Sequence, residues 1–146
     1  MFDNAPLKKL FRSFDNAGFE VRIVGGAVRD FLLGQEPKDI DLCTDATPEE
    51  MQDIATINGF KFLPTGLQHG TATFVVDGEL FEVTTLRIDV DTDGRHATVE
   101  FTRSFEEDAA RRDLTINAMS MDMAGKVYDY FGGHIVTGKQ IGRAHV

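Results

Sequence analysis

The sequence predicts a single α/β domain built on a mixed sheet. Strand and helix patterns alternate through the first sixty residues, and a run of β patterns with a tight hairpin signal follows. Hydrophobic residues make up 42% of the 146, enough for one core.

The remaining composition narrows the class. Charged residues are 27%, with 15 Lys and Arg against 24 Asp and Glu, for a net charge of −9. This is neither a disordered nor a collagen-like chain, nor a disulfide-stapled scaffold. No apolar run approaches the roughly 18 residues of a membrane span, so no membrane partner is expected. The start, MFDNAPLKKLF, lacks a secretory leader pattern. Cys43 is the single cysteine and reads as a small buried residue in a reducing compartment, which points to the cytoplasm. The acidic balance argues against a self-contained nucleic-acid binder, because phosphate contacts need clustered Lys and Arg. It leaves room for a catalytic fragment whose basic surface lies elsewhere.

Each element has a local reason. Leu7, Leu10, Phe11 and Phe14 recur at helical spacing over Pro6 to Asn16, and Gly18 closes the helix. Glu20 to Val24 alternates and is β-rich. Gly25-Gly26 follows, then a helix over Ala27 to Leu33 that stops at Gly34. Lys38 to Cys43 reads as a second strand. Thr47-Pro48-Glu49-Glu50 is a helix start with a capping box, and Met51, Ile54 and Ala55 face the core. Lys61 to Leu63 is a short strand. Thr71 to Val76 and Glu79 to Leu86 are strands joined at Asp77-Gly78. Ala97 to Thr102 is another strand. Ser104 and Glu107 form a second capping box opening a helix to Arg111. A short helix over Thr115 to Ala118 and a β pair around Gly125 complete the set.

Four clusters carry chemistry. Val24-Gly25-Gly26-Ala27-Val28-Arg29-Asp30 runs from strand through two glycines into a helix; glycine lets a ligand approach the backbone, and Arg29 lies one turn in. That suits a phosphate chain. In Pro37-Lys38-Asp39-Ile40-Asp41-Leu42, residues two apart on a strand share a face, about 6–7 Å apart. Asp39 and Asp41 then point together, and paired carboxylates suit Mg²⁺, in the best case a two-metal phosphoryl-transfer site. In Phe81-Glu82-Val83, a core that takes Phe81 and Val83 leaves Glu82 on the other face, as a third carboxylate or an ordinary edge glutamate. In Arg111-Arg112-Asp113-Leu114-Thr115-Ile116-Asn117, two guanidinium groups suit triphosphate oxygens, while Asp113 and Asn117 hold a ribose or fix the arginines. Arginines offsetting the dipole of a helix end are the plainer alternative.

Taken in order, GGAVRDFLLG, PKDIDLCTDATPEE, PTGLQHGT, FEVTTLR, DTDGRHATVEFT and EEDAARRDLTINAMSMD resemble the catalytic head of the class II tRNA nucleotidyltransferase and bacterial poly(A) polymerase family, over about Val21 to Gly133. The resemblance implies a polymerase-β-like nucleotidyltransferase fold, a small mixed β-sheet with flanking helices. It implies metal-dependent addition of C and A to a tRNA 3′ end with release of pyrophosphate, from CTP and ATP. A-only or poly(A) addition to an RNA 3′ end is the neighbouring chemistry, and a non-catalytic nucleotide-binding module is the reading of a different class. By resemblance Asp39 and Asp41 match the metal pair and Glu82 the third catalytic carboxylate. Gly25, Gly26, Arg29, Arg111, Arg112, Asp113 and Asn117 match nucleotide-contact positions, and Asp89 to His96 a flexible loop. The family continues into helical neck, body and tail regions that are missing here. Residues 1–139 are therefore expected to form the head domain. Gln140 to Val146 reads as translated sequencing adapter, with a genuine basic C-terminus as the alternative.

One pattern competes. Asp89-Val90-Asp91-Thr92-Asp93-Gly94, followed at the twelfth position by Glu100, satisfies the spacing of a calcium loop. Its flanks are β-patterned rather than helical, which argues against an EF-hand. His69, His96, His134 and His145 are too scattered for a zinc site. His69 reads as a turn histidine, and the Phe-rich aromatics as core rather than an RNA-stacking platform.

Overall fold

The computed structural model describes residues 4–91, 97–112, 118–130 and 134–137. Among the described residues there are four α-helices and ten strands: α1 Ala5–Asn16, β1 Val21–Val24, α2 Gly26–Leu32, β2 Asp41–Thr44, α3 Pro48–Asn58, β3 Lys61–Gly66, β4 Thr71–Val76, β5 Glu79–Thr85, β6 Arg87–Asp91, β7 Ala97–Phe101, α4 Phe105–Ala110, β8 Ser120–Met121, β9 Lys126–Asp129 and β10 His134–Thr137. A 3₁₀ turn, Leu67–His69, precedes β4. Eight strands make one sheet in the order β10-β9-β8-β1-β2-β5-β4-β3, and β6 with β7 makes a separate ribbon. The β2–β5 pairing is parallel and its neighbours are antiparallel, so the sheet is mixed, as the sequence predicts.

Local chemistry explains the boundaries. The Asn4 side chain accepts from the Leu7 N–H and starts α1. Thr47 and Glu50 form the complete capping box at α3, and Gly59 ends that helix in the left-handed conformation. Asp77 (φ 50°) and Gly78 (φ 83°) both take positive φ, as a two-residue type I′ hairpin requires, and pair Val76 with Glu79. The second capping box is only half formed. Ser104 Oγ accepts from the Glu107 N–H, but the Glu107 carboxylate accepts from Thr102 Oγ1, and Thr102 Oγ1 in turn accepts from the Ser104 N–H. A threonine hydroxyl has been inserted between the two halves of the box.

Both faces of the sheet centre are covered. On one face Leu7, Leu10, Phe11 and Phe14 of α1, Val28 of α2 and Met51 and Ile54 of α3 pack against Ile23, Leu42, Phe74, Phe81 and Val83. On the other, Val24, Cys43 and Leu86 form a smaller core beneath Phe105 of α4. All four residues of β1 are consequently buried, and the half-exposed alternation expected there is not realised. The odd member is Arg22, 6% exposed. Its guanidinium lies between the rings of Phe105 (3.8 Å) and Tyr128 (3.6 Å), bonded to Glu20 and to the Tyr130 hydroxyl.

Two expectations are corrected. Asp89 to Asp91 belong to strand β6 rather than to a loop; 92–96 lie outside the described residues. Strand β2 begins at Asp41, not Lys38. The expected helix over Thr115 to Ala118 and the segment Gln140 to Val146 also lie, but for Ala118, outside the described residues.

Candidate active site

Residue Asp41 occupies the first position of β2, opposite Val24 of β1 and beside Glu82 of β5. Partners in a ladder share a face, so Asp41 and Glu82 project on the side covered farther along by α4. Both are exposed. Phe81 and Val83 enter the opposite core, as the alternation requires. Glu82 thus lies on the face shared with Asp41, on the adjacent strand.

Asp39 lies two residues before the strand, in an exposed bend. The premise that Asp39 and Asp41 share a strand face therefore does not hold. On the β1 side Gly25, with φ 71° and ψ −142°, turns the chain away after Val24 and leaves Asp39 no partner, and the ladder with β5 likewise begins at Asp41 although β5 itself starts at Glu79. The two carboxylates are still close enough to repel. Asp41 reaches solvent, but the protein around the strand end partly desolvates its carboxyl, and this, followed by the Asp39 charge, raises the Asp41 pKa, while Arg112 acts in the opposite sense.

Gly25 and Gly26 stand at the end of the strand that flanks Asp41. The positive φ of Gly25 is a conformation that side chains disfavour. Arg29 follows in α2, largely exposed, with Asp30 as a 3.5 Å ion-pair neighbour. Arg111 and Arg112 lie at the end of α4. Each donates its Nε–H to Asp108, at 3.2 Å and 2.9 Å respectively. Asp108 is 3% exposed and also accepts from the Arg87 backbone N–H at 2.9 Å. Asp113 and Asn117 lie outside the described residues.

The donor set can be weighed against a divalent ion. Among the described residues no three His, Cys, Asp or Glu side chains are placed to hold a metal ion by themselves. Mg²⁺ asks for less: one or two carboxylates, with water and substrate phosphates completing the octahedron. Two mutually repelling carboxylates at a strand end, open to solvent, fit that requirement.

The calcium-loop pattern fails on register. Ile88 pairs with Glu100 and Asp89 with Val99, so Asp89 and Glu100 project from opposite faces of the β6–β7 ribbon. The first and twelfth ligands of such a loop would have to converge.

A comparison with known proteins matches residues 21–140 to the family described as the Poly A polymerase head domain. The chain belongs to that family. Among head-domain relatives, it is 53% identical over 122 residues to the CCA tRNA nucleotidyltransferase 1, mitochondrial, of Danio rerio, covering 83% of this chain and 28% of that protein. It is 44% identical over 126 residues to the CCA-adding enzyme of Bacillus licheniformis, covering 85% of this chain and 31% of that one. The crystal structure of the Bacillus stearothermophilus CCA-adding enzyme in complex with CTP superposes with a TM-score of 0.73 at 38% identity, over 96% of this chain and 32% of that one. The head domain seen here thus spans about a third or less of the length of these relatives. The mixed sheet with helices on both faces is the polymerase-β-like fold of the family.

Two residues of this head domain escaped the sequence reading. Asp108 stands three and four positions before Arg111 and Arg112, the spacing of helical ion pairs, and that signal was available. Arg22 had no such signal, since a lone arginine in a strand says nothing about what covers it.

Proposed function

We propose that this chain is the catalytic head of a template-independent RNA nucleotidyltransferase that adds C and A to the 3′ end of tRNA and releases pyrophosphate. The observation that carries the reading is the Asp39–Asp41 pair at the start of β2, next to the Gly25-Gly26 turn and within reach of the Arg112 charge. Relatives lend support. One solved neighbour is a CCA-adding enzyme with CTP, and another is a tRNA nucleotidyltransferase with a primer tRNA and an incoming ATP analogue, at 32% identity and a TM-score of 0.61.

In this reading Asp39 and Asp41 hold Mg²⁺, and Glu82 stands as the third carboxylate beside them. The ion, when bound, supplies Lewis-acid activation and neutralises phosphate charge. The chain's own residues bind and orient. Gly25 and Gly26 admit the polyphosphate close to the backbone, and Arg29 meets it from α2. Arg111 and Arg112 take triphosphate oxygens, with charge already in place before the leaving group develops its own. Asp113 and Asn117 orient the nucleotide. CTP and ATP are the proposed substrates, with a tRNA or other RNA 3′ end as acceptor. The cytoplasm is the proposed compartment, supported by the lone buried thiol, although the Danio rerio relative carries "mitochondrial" in its name.

The test is single-turnover incorporation of labelled CTP and ATP into tRNA lacking its terminal CCA. Asp39→Ala should abolish incorporation while far-UV circular dichroism stays unchanged; retained incorporation refutes the metal assignment. Product length separates the neighbouring chemistries, since three added residues mean CCA and a long A ladder means poly(A). Nucleotide binding without transfer favours a binding module, a reading that the limited span relative to the relatives keeps in view.

A further inference from the structure

Three guanidinium-bearing residues meet around one buried carboxylate. Asp108 accepts the Nε–H of Arg111, the Nε–H of Arg112 and the backbone N–H of Arg87. Arg87 also feels the charges of Arg111 and Arg112, and its own Nε is buried without a hydrogen-bond partner among the described residues. Around the buried Asp108 the three arginines also feel the outer carboxylates, Asp89 acting on Arg87 and Asp41 interacting with Arg112.

The mode of attachment matters as much as the count. Both arginines spend their inner nitrogen, Nε, on Asp108. A guanidinium held through Nε has its plane and direction set, while its outer nitrogens stay out of that contact. The Arg112 charge also acts on Asp41, whose carboxyl it favours in the charged form.

We propose that Asp108 is a positioning residue for polyphosphate: by clamping Arg111 and Arg112 through Nε it aims their outer nitrogens as one preorganised anion-binding fork. The inference rests on the nucleotidyltransferase reading of the arginines and adds a residue that itself touches no substrate.

A purely structural or charge-balancing Asp108 makes the opposite forecast. Removing its negative charge would leave the arginines less compensated, and an anion would bind more tightly. Removing an aiming device weakens binding, despite the gain in positive charge. Asp108→Asn separates the two, because it keeps the shape and one acceptor oxygen for the Arg87 N–H.

The experiment is calorimetric titration of tripolyphosphate, and separately of CTP with Mg²⁺, into the chain and into Asp108→Asn, with circular dichroism on both. About a tenfold or greater loss of tripolyphosphate affinity in the variant is expected, in line with charge-assisted hydrogen bonds. Unchanged or tighter binding overturns the positioning role and leaves the nucleotidyltransferase reading standing. If neither probe binds the unaltered chain, both fail together. Should the variant not fold, arginine-side-chain ¹⁵N spectra of the unaltered chain decide. Nε–H signals of Arg111 and Arg112 that exchange slowly and hold position while the outer nitrogens respond to tripolyphosphate support the clamp. Nε–H signals that move with the ligand refute it.

Discussion

Asp41 faces Val24 across the last rung of the β1–β2 ladder, immediately before Gly25 turns the chain out of the sheet. This one pairing puts a carboxylate next to the glycine turn, at the first residue of β2 and two residues after Asp39. The carboxyl pair therefore sits at a strand end, where solvent and ligand have access, rather than along a covered sheet face.

Asp41 should cost the ion-free protein stability at neutral pH. Its native pKa is raised, by burial first and then by Asp39, so the folded state binds its proton more tightly than the unfolded state does. The cost is complete above the raised native value and disappears as pH falls below the ordinary value of 3.8. Asp41→Asn is expected to raise the melting temperature at neutral pH and to lose that advantage by about pH 3. Adding Mg²⁺ should raise the melting temperature of the unaltered chain more than that of the variant. Thermal scans across pH, with and without the ion, check both statements.

Arg22 should be among the residues least tolerant of truncation. Arg22→Ala removes a cation held between two rings and strands the Tyr130 hydroxyl, at an expected cost of about 3 kcal/mol. Arg22→Met keeps much of the apolar stem packing and should cost less. Urea unfolding of the two variants provides the comparison.

Thr47 caps α3 through the Glu50 N–H at 3.2 Å, and Glu50 returns the bond to the Thr47 N–H at 2.8 Å. Thr47→Ala is expected to destabilise the fold by about 1 kcal/mol. Glu50→Gln preserves the reciprocal bond and should cost less, apart from the 3.1 Å contact with Arg103. Hydrogen exchange in the first turn of α3 will locate the effect.

Cys43 lies between β1 and β5 under α4, and burial, assisted by Asp108, pushes its thiol up to about 12. At pH 8 almost none of it is thiolate, and reagent access is closed as well. Reaction with a disulfide reagent should follow the unfolding curve in urea. Fast labelling of the native chain would contradict the packing of this second core.

Several features were legible because one element suffices to encode them. The α1 stripe needs only helical spacing, the α3 box four consecutive residues, and the Asp77-Gly78 turn two residues that tolerate positive φ. The Phe81–Glu82–Val83 alternation likewise says which side chain leaves the core. The ordered motifs also carried the family, since their number and sequence order constrain far more than any single one.

What the chain's sequence determined alone, then, was its elements, its family and the residue types at the candidate site. Tertiary structure decided which of them meet. Whether Asp39 lies in a strand depended on where the ladders of β2 with β1 and β5 begin. Whether Asp89 and Glu100 converge depended on ribbon register, and whether Arg22 is buried depended on α4 and β9 closing over it. The grouping of Arg87, Arg111 and Arg112 on Asp108 depended on β6 docking beside α4. Spacing along a chain records the geometry of one helix or strand, whereas burial and electrostatic partnership belong to pairs of elements far apart in sequence.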